Sequence, residues 1–167
     1  MVTEELITKA TANKLAEDGW EIIAVHPPDG QGPFTIPKPP QDRAIERASY
    51  HPDIIAIKVD ETGIKILIVE CKVKKNDLSE DVEKLNKLAT DPESLYFICF
   101  RCQKFEGGPE LAVDYDELSK IPYTDLPIEF ALAYYQEDQE VNDSIDLPQE
   151  INGFKCRIFS FQDKDLV

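Results

Sequence analysis

Apolar and polar residues alternate along the first 25 residues in a way that predicts a helix followed by a strand. Residues 3–18 have the pattern of an amphipathic helix, for which Thr3 is a suitable N-cap. Gly19 is suited to end this helix because glycine adopts the left-handed backbone conformation at little cost. The apolar run WEIIAV at 20–25 then predicts the first strand.

The middle of the chain predicts a β-hairpin. DIIAIKV at 53–59 and IKILIVECK at 64–72 are both rich in β-branched residues. The DETG between them, with Gly63 as the turn residue, is typical of a hairpin connection. Because both runs are almost continuously apolar, we expect these strands to be covered on both faces of a layered sheet.

Helical spacing returns after the hairpin. Leu78, Val82, Leu85 and Ala89 recur at helical intervals, and Asp77 with Glu80 forms a capping-box pattern at the start. After DPES interrupts this pattern, LYFICFR at 95–101 is interpreted as a further strand, and KCRIFSF at 155–161 predicts the last one.

One segment predicts no regular element. HPPDGQGPFTIPKPPQ at 26–41 contains six prolines, which favour a long loop, and DRAIERAS after it is compatible with a short helix. The predicted fold is therefore a single α/β domain over 1–167, with three layers, a mixed sheet and the order αβββαβ. Its core is expected at 3–105, followed by an elaboration at 106–150 and the closing strand.

Charge is distributed unevenly along the 167 residues. The chain has 18 Lys plus Arg and 33 Asp plus Glu, for a net charge of −15. Thirteen of the acidic residues and a single basic one, Lys120, fall within 106–150, so this stretch alone carries −12. The remainder is nearly neutral. It has no basic surface of the kind that coats nucleic acid non-specifically, but its charge does not oppose a nucleic-acid substrate either.

Composition indicates a protein of the reducing cytoplasm. No apolar run reaches the ~20 residues needed to span a bilayer, and the first 20 residues lack the features of a signal peptide. Four cysteines in a chain of this length do not predict a disulfide scaffold. Cys99 and Cys102 form a C-x-x-C pair, but on the predicted strand they would point to opposite faces, which favours buried thiols over a metal site.

Three charged residues are predicted to meet at one end of the hairpin. Asp53 opens the second strand, whereas Glu70 and Lys72 end the third strand on one face. Because the start of one hairpin strand lies beside the end of the other, Asp53 is expected next to Glu70. Two carboxylates and an ammonium group suit a hard cation such as Mg²⁺ and hydrolysis of a phosphodiester. The alternative to a metal site is that these residues have no catalytic role. Asp53 would then be a turn residue after Pro52, and Glu70 and Lys72 would be solvated or paired charges at the end of a strand.

YHPDIIAIKVDETGIKILIVECKVKKNDLSEDVEKL and the predicted element order resemble the PD-(D/E)xK nuclease superfamily, which has the restriction-endonuclease-like fold. The resemblance covers about residues 3–101. It implies a Mg²⁺ or Mn²⁺ ion held by Asp53, Glu70 and the carbonyl of Cys71. It also implies that Lys72 orients or deprotonates the attacking water, and that a glutamate of the first helix assists, with Glu5 the first choice and Glu4 the second.

Three readings of the function follow. The first is a metal-dependent endonuclease, or a subunit of one, that cleaves DNA; enzymes that cut both strands are commonly dimers, so homodimerisation stays open. The second is an inactive protein of the same fold that binds a protein partner through the acidic segment 106–150. Hydrolysis of a small phosphorylated substrate is a third, weaker reading. No membrane association is expected.

Overall fold

The structure of the protein is a computed structural model that describes residues 1–26, 51–61, 63–105, 118–137 and 145–166. Apart from His26, the loop predicted at 26–41 lies outside the described residues. The short helix expected in 42–49 lies outside them as well.

Three helices and six strands make up the described part of the chain. They are α1 (Glu4–Glu17), β1 (Glu21–Val25), β2 (Ile54–Asp60), β3 (Gly63–Lys72), α2 (Leu78–Ala89), α3 (Pro92–Phe105), β4 (Ile128–Tyr135), β5 (Glu150–Ile151) and β6 (Phe154–Phe161). None of the helices in these residues combines the length and the apolar character needed to cross a membrane.

The strands form one mixed sheet in the order β1-β2-β3-β4-β6-β5. Antiparallel pairing joins β1 to β2 and β2 to β3, whereas β4 runs parallel to both β3 and β6. Helices α2 and α3 make the connection from β3 to β4, as expected because parallel strands need a long crossover. The predicted α/β class with a mixed sheet is confirmed.

Helices cover the sheet on both faces. On one side, α1 buries Ile7 and Leu15 against β-strand residues that include Leu67 and Val69. On the other side, residues of α2 and α3 pack against the alternate positions of the same strands, such as Ile68. Residues 66–71 of β3 are all buried. The continuous apolar run of β3 thus reflects a strand enclosed between two helical layers.

Local signals explain the ends of several elements. The side chain of Thr3 caps α1 by accepting a hydrogen bond from the amide of Leu6 at 3.2 Å. Gly63 has a φ of +116°, which favours glycine at the hairpin turn. The predicted capping box of α2 does not form, because Asp77 has a helical backbone and makes no capping hydrogen bond. A 3₁₀ turn over Lys75–Asp77 leads directly into the helix instead.

The strand predicted at 95–101 is wrong, since these residues belong to α3. Leu95, Ile98, Cys99 and Cys102 are buried, and their spacing is that of one helix face. Aromatic and β-branched content suggested a strand, but the helical period was also present in the sequence. Both cysteines therefore lie on the same face as free, buried thiols, and burial raises the pKa of Cys99 to about 12.

The predicted order αβββαβ is consequently not reproduced, because a second helix stands where its final strand was expected. The next strand along the chain is β4, which lies between β3 and β6 in the sheet. This strand falls within 106–150, the stretch expected to elaborate the core. Its one acidic residue, Glu129, accepts a hydrogen bond from Arg157 of β6 at 3.1 Å. Part of the acidic stretch is thus central to the sheet.

Candidate active site at the end of β3

The hairpin brings Asp53 and Glu70 together at one end of the sheet. Ile54 pairs with Val69, so that continuing the antiparallel register places Asp53 opposite Glu70. The amide of Cys71 donates a hydrogen bond of 2.7 Å to Oδ2 of Asp53. Glu70 is buried, and its side chain forms a hydrogen bond with Asp53. The juxtaposition expected from the sequence is therefore present.

Asp53 holds a proton more tightly than an ordinary surface carboxylate does. Burial raises the pKa of Asp53, while the hydrogen bonds from Cys71 and Glu70 offset part of that rise. Because a carboxylate is only an acceptor, a hydrogen bond between two carboxyl groups requires one of them to be protonated. A cation at this position would therefore compete with a proton for the Asp53 carboxylate.

Lys72 lies at the centre of the remaining charges. Its Nζ is 3.4 Å from Oε2 of Glu4 and 4.0 Å from Oδ2 of Asp81. Burial lowers the pKa of Lys72, but the negative charges of Asp81, Glu4 and Asp53 together outweigh burial and raise the pKa above its usual value. Lys72 is therefore an ammonium ion at neutral pH, which suits orienting and stabilising negative charge better than accepting a proton.

The two glutamates at the start of α1 have different surroundings. Glu4 is partly buried and reaches Lys72, whereas Glu5 is exposed. The structure thus brings the second choice, Glu4, into the cluster and directs the first choice, Glu5, to the surface. Residues one apart on a helix differ in direction by about 100°, which is why only one of them can face the end of β3.

Cys71 contributes through its backbone at this end of the sheet. Its amide holds Asp53, while its buried thiol points to the α1 side, 3.8 Å from the hydroxyl of Thr11. Burial raises the pKa of this thiol well above its usual value, so the sulfur remains a neutral packing group. The metal-ligating role predicted for Cys71 concerns only its carbonyl oxygen.

Asp81 is a member of the cluster that the sequence interpretation missed. Its side chain is 1% exposed, and it forms ion pairs with Lys72 and, at 3.6 Å, with Lys84. Asp81 belongs to the buried face of α2 together with Leu78 and Leu85. Asp81 lies three residues after Leu78 and four residues before Leu85, so helical periodicity places it on the same face as these two core leucines. An acidic residue on that face was the signal that could have identified it.

Two histidines lie next to the cluster. The amide of His26 donates a 2.9 Å hydrogen bond to the carbonyl of Asp53. The imidazole of His26 lies 5.1 Å, centre to centre, from that of His51. His51 thus packs against a second imidazole ring close to Asp53.

The donor set suits a hard divalent cation. The carboxyl groups of Asp53 and Glu70 meet at the end of β3, and the nearby ammonium of Lys72 contacts Glu4 and Asp81. Oxygen donors of this kind are those that Mg²⁺ and Mn²⁺ prefer. Within the described ranges, no three His, Cys, Asp or Glu side chains are already arranged to hold a metal ion. The contact that exists is the two-carboxylate pair.

Comparison with known proteins adds no relative from which an activity could be transferred. No protein-family model, curated protein or solved structure matches the chain. The chemistry of the cluster is therefore the basis for assigning a function.

Proposed function

We propose that this protein is a metal-dependent phosphodiesterase of the PD-(D/E)xK nuclease type that hydrolyses DNA with Mg²⁺ or Mn²⁺. The observation that carries the proposal is the meeting of Asp53, Glu70 and Lys72 at the end of β3. Asp53 and Glu70 are tied by a hydrogen bond, and Lys72 is a charged ammonium ion held by carboxylates on either side.

The arrangement of elements supports the same proposal. In this proposal, the N-terminal helix, the antiparallel three-strand meander and the helical crossover to a strand parallel to β3 form a restriction-endonuclease-like core, to which α3 is an addition. The cluster lies at the carboxyl ends of the parallel strands β3 and β4, where α/β sheets commonly bind ligands.

In this proposal, Asp53 and Glu70 would hold the cation through their deprotonated carboxylates. The ion, when bound, supplies Lewis acidity toward a phosphodiester oxygen. The amide of Cys71 keeps the Asp53 carboxylate oriented. Lys72, which stays protonated, positions the attacking water and stabilises the negative charge that develops on the phosphate.

Surface charge shapes the expected mode of DNA binding. Lys74 is exposed near the cluster, while Lys75 lies partly buried with its ammonium 5.8 Å from the ring centre of Tyr134. These two lysines, Lys74 just before and Lys75 within the 3₁₀ turn that precedes α2, are candidates for phosphate contacts. With so few cations, we expect weak DNA binding that is strongly sensitive to salt.

A plasmid-nicking assay with the full chain tests the proposal. Wild type stripped with EDTA should nick supercoiled DNA only after Mg²⁺ or Mn²⁺ is restored. Asp53→Asn, Glu70→Gln and Lys72→Met should each reduce the rate about 100-fold or more. Glu17→Gln, which removes an exposed charge of α1, is the matched control. Circular dichroism should show that every variant is folded.

The outcomes separate the alternatives. Failure of folded wild type to bind Mg²⁺ or Mn²⁺ by calorimetry and to nick DNA would overturn the proposal and favour a non-enzymatic protein of this fold. Metal-dependent cleavage of bis(p-nitrophenyl) phosphate without cleavage of plasmid or single-stranded DNA would favour a small phosphorylated substrate instead.

A further inference from the structure

Asp81 occupies a position at which a carboxylate is unfavourable for folding. Its side chain is 1% exposed, and it belongs to the buried face of α2 with Leu78, Leu85 and Leu88. Within the part of the chain that the structure describes, neither carboxylate oxygen has a partner at hydrogen-bond distance. Burying a charged group with so little compensation costs free energy of folding. Its presence therefore calls for an explanation beyond packing.

The two cations near Asp81 are not equivalent. Lys84 approaches to 3.6 Å, but its side chain is 55% exposed and lies one turn along the same helix. Such a pair forms equally well at the helix surface and does not require Asp81 to be buried. Lys72 is the more enclosed partner, with a side chain that is 29% exposed. Lys72 is slightly more distant from Asp81, at 4.0 Å, but it is the partner that a buried position of Asp81 favours.

Lys72 is held from both helical layers. Glu4 approaches it from α1, and Asp81 approaches it from α2. These helices pack on opposite faces of the sheet. A flexible lysine with two carboxylates on opposite sides loses rotational freedom and keeps its ammonium at the end of β3. The same end of β3 carries Glu70, whose side chain contacts Asp53.

We propose that Asp81 is a positioning residue, whose buried carboxylate holds the ammonium of Lys72 beside the Asp53–Glu70 pair. Asp81 contacts neither substrate nor metal in this role and acts through Lys72. The inference rests on the proposed function for its catalytic consequence, but the immobilisation of Lys72 can be measured without any activity.

Three variants of the full chain isolate this role. Asp81→Asn removes the charge at nearly constant volume, Asp81→Glu restores it on a longer side chain, and Glu80→Gln removes a charge from the adjacent, exposed position of α2. The direct readout is the ¹⁵Nζ–¹H signal of the Lys72 ammonium by NMR, assigned with Lys72→Arg. An ammonium group held by carboxylates exchanges its protons slowly enough to be seen.

We expect the Lys72 ammonium signal in wild type and Glu80→Gln, its loss in Asp81→Asn, and partial recovery in Asp81→Glu. In nicking assays, Asp81→Asn should lower kcat about 10- to 100-fold. The Mg²⁺ dissociation constant should change less than about threefold, because the cation-holding pair is intact. A merely structural role for Asp81 would leave the kcat of folded protein and the Lys72 signal unchanged.

The possible failures are distinguishable. An unchanged Lys72 signal in folded Asp81→Asn would overturn the positioning role whatever the activity. Loss of that signal in Asp81→Asn, together with absence of metal-dependent cleavage by wild type, would sustain the positioning of Lys72 and overturn the proposed function. If Asp81→Asn does not fold, Asp81→Ser provides the same neutral test, with the same two readouts.

Discussion

The amide of Cys71, near the end of β3, donates a 2.7 Å hydrogen bond to the Oδ2 atom of Asp53, the residue immediately before β2. This bond connects residues 18 positions apart in the chain. It orients one oxygen of Asp53 toward the backbone. The acidic pair is therefore held by the sheet itself and not by a flexible loop.

Metal binding at this pair should depend strongly on pH. Burial raises the pKa of Asp53, and a cation competes with a proton for this carboxylate. We therefore expect Mg²⁺ affinity to fall as the pH is lowered from about 7 to about 5, with release of protons on binding. Calorimetry in two buffers with different ionisation enthalpies measures that release. An affinity independent of pH over this range would contradict the expectation.

The stability of the protein should depend on pH because the carboxyl group of Asp81 is buried. Burial raises the pKa of Asp81, and the charges of Lys72 and Lys84 only partly offset this rise. A carboxyl group whose pKa is higher in the folded state contributes most to stability below its unfolded pKa, and the contribution is lost as pH rises through the folded pKa.

Asp81→Asn should consequently gain stability relative to wild type as the pH rises from about 4 to about 7. Urea unfolding of both proteins at each pH measures the difference. Glu80→Gln, in which an exposed residue is changed, is the reference. A larger relative stability of Asp81→Asn at the acidic end would show that the sign is wrong.

Glu4 and Glu5 should differ in their effect on cleavage. Oε2 of Glu4 lies 3.4 Å from the Lys72 ammonium, whereas Glu5 is exposed. Glu4→Gln should slow DNA nicking about 10-fold or more, and Glu5→Gln should slow it less. The rates are compared at saturating Mg²⁺, after circular dichroism confirms folding. A larger loss for Glu5→Gln would restore the assignment made from the sequence.

The stretch after residue 105 should be required for folding. Phe130 is fully buried in β4, between β3 and β6 in the sheet. Phe130→Ala should lower the free energy of unfolding by about 3–5 kcal/mol, because it removes a large side chain and leaves a cavity. A fragment ending at residue 105 lacks β4 and β6 and should be unfolded by circular dichroism and NMR dispersion.

Val59→Ala is the matched control for this test, since Val59 is an exposed strand residue. It should change the free energy of unfolding by less than about 1 kcal/mol. A cooperatively folding 1–105 fragment would show that the core is independent of the acidic stretch.

Much of the fold followed from local patterns. The periodicities of α1 and α2 and the β-branched runs of β2, β3 and β6 determined those elements. The turn at Gly63 set the antiparallel register, and this register placed Asp53 opposite Glu70. A hairpin is specified by residues close in sequence, so its geometry can be read without knowledge of the rest of the chain.

Other features depended on packing between distant segments. The composition of 95–101 favoured a strand, but burial of Leu95, Ile98, Cys99 and Cys102 on one face selected a helix. When β propensity and helical spacing compete, the outcome depends on the surface of the rest of the protein against which the segment packs. The central position of β4 in the sheet could not be predicted from the sequence either, because pairing of parallel strands is not set by a local turn.

The sequence by itself determined the Asp53–Glu70 pair and the presence of Lys72 at the end of the same strand, since a strand's alternation and a tight turn are local properties. Only the tertiary structure decided that Glu4 and not Glu5 meets Lys72, and that Asp81 approaches from the other side. Those contacts depend on how α1 and α2 are rotated against opposite faces of the sheet. That rotation is set by side chains from the whole core packing together.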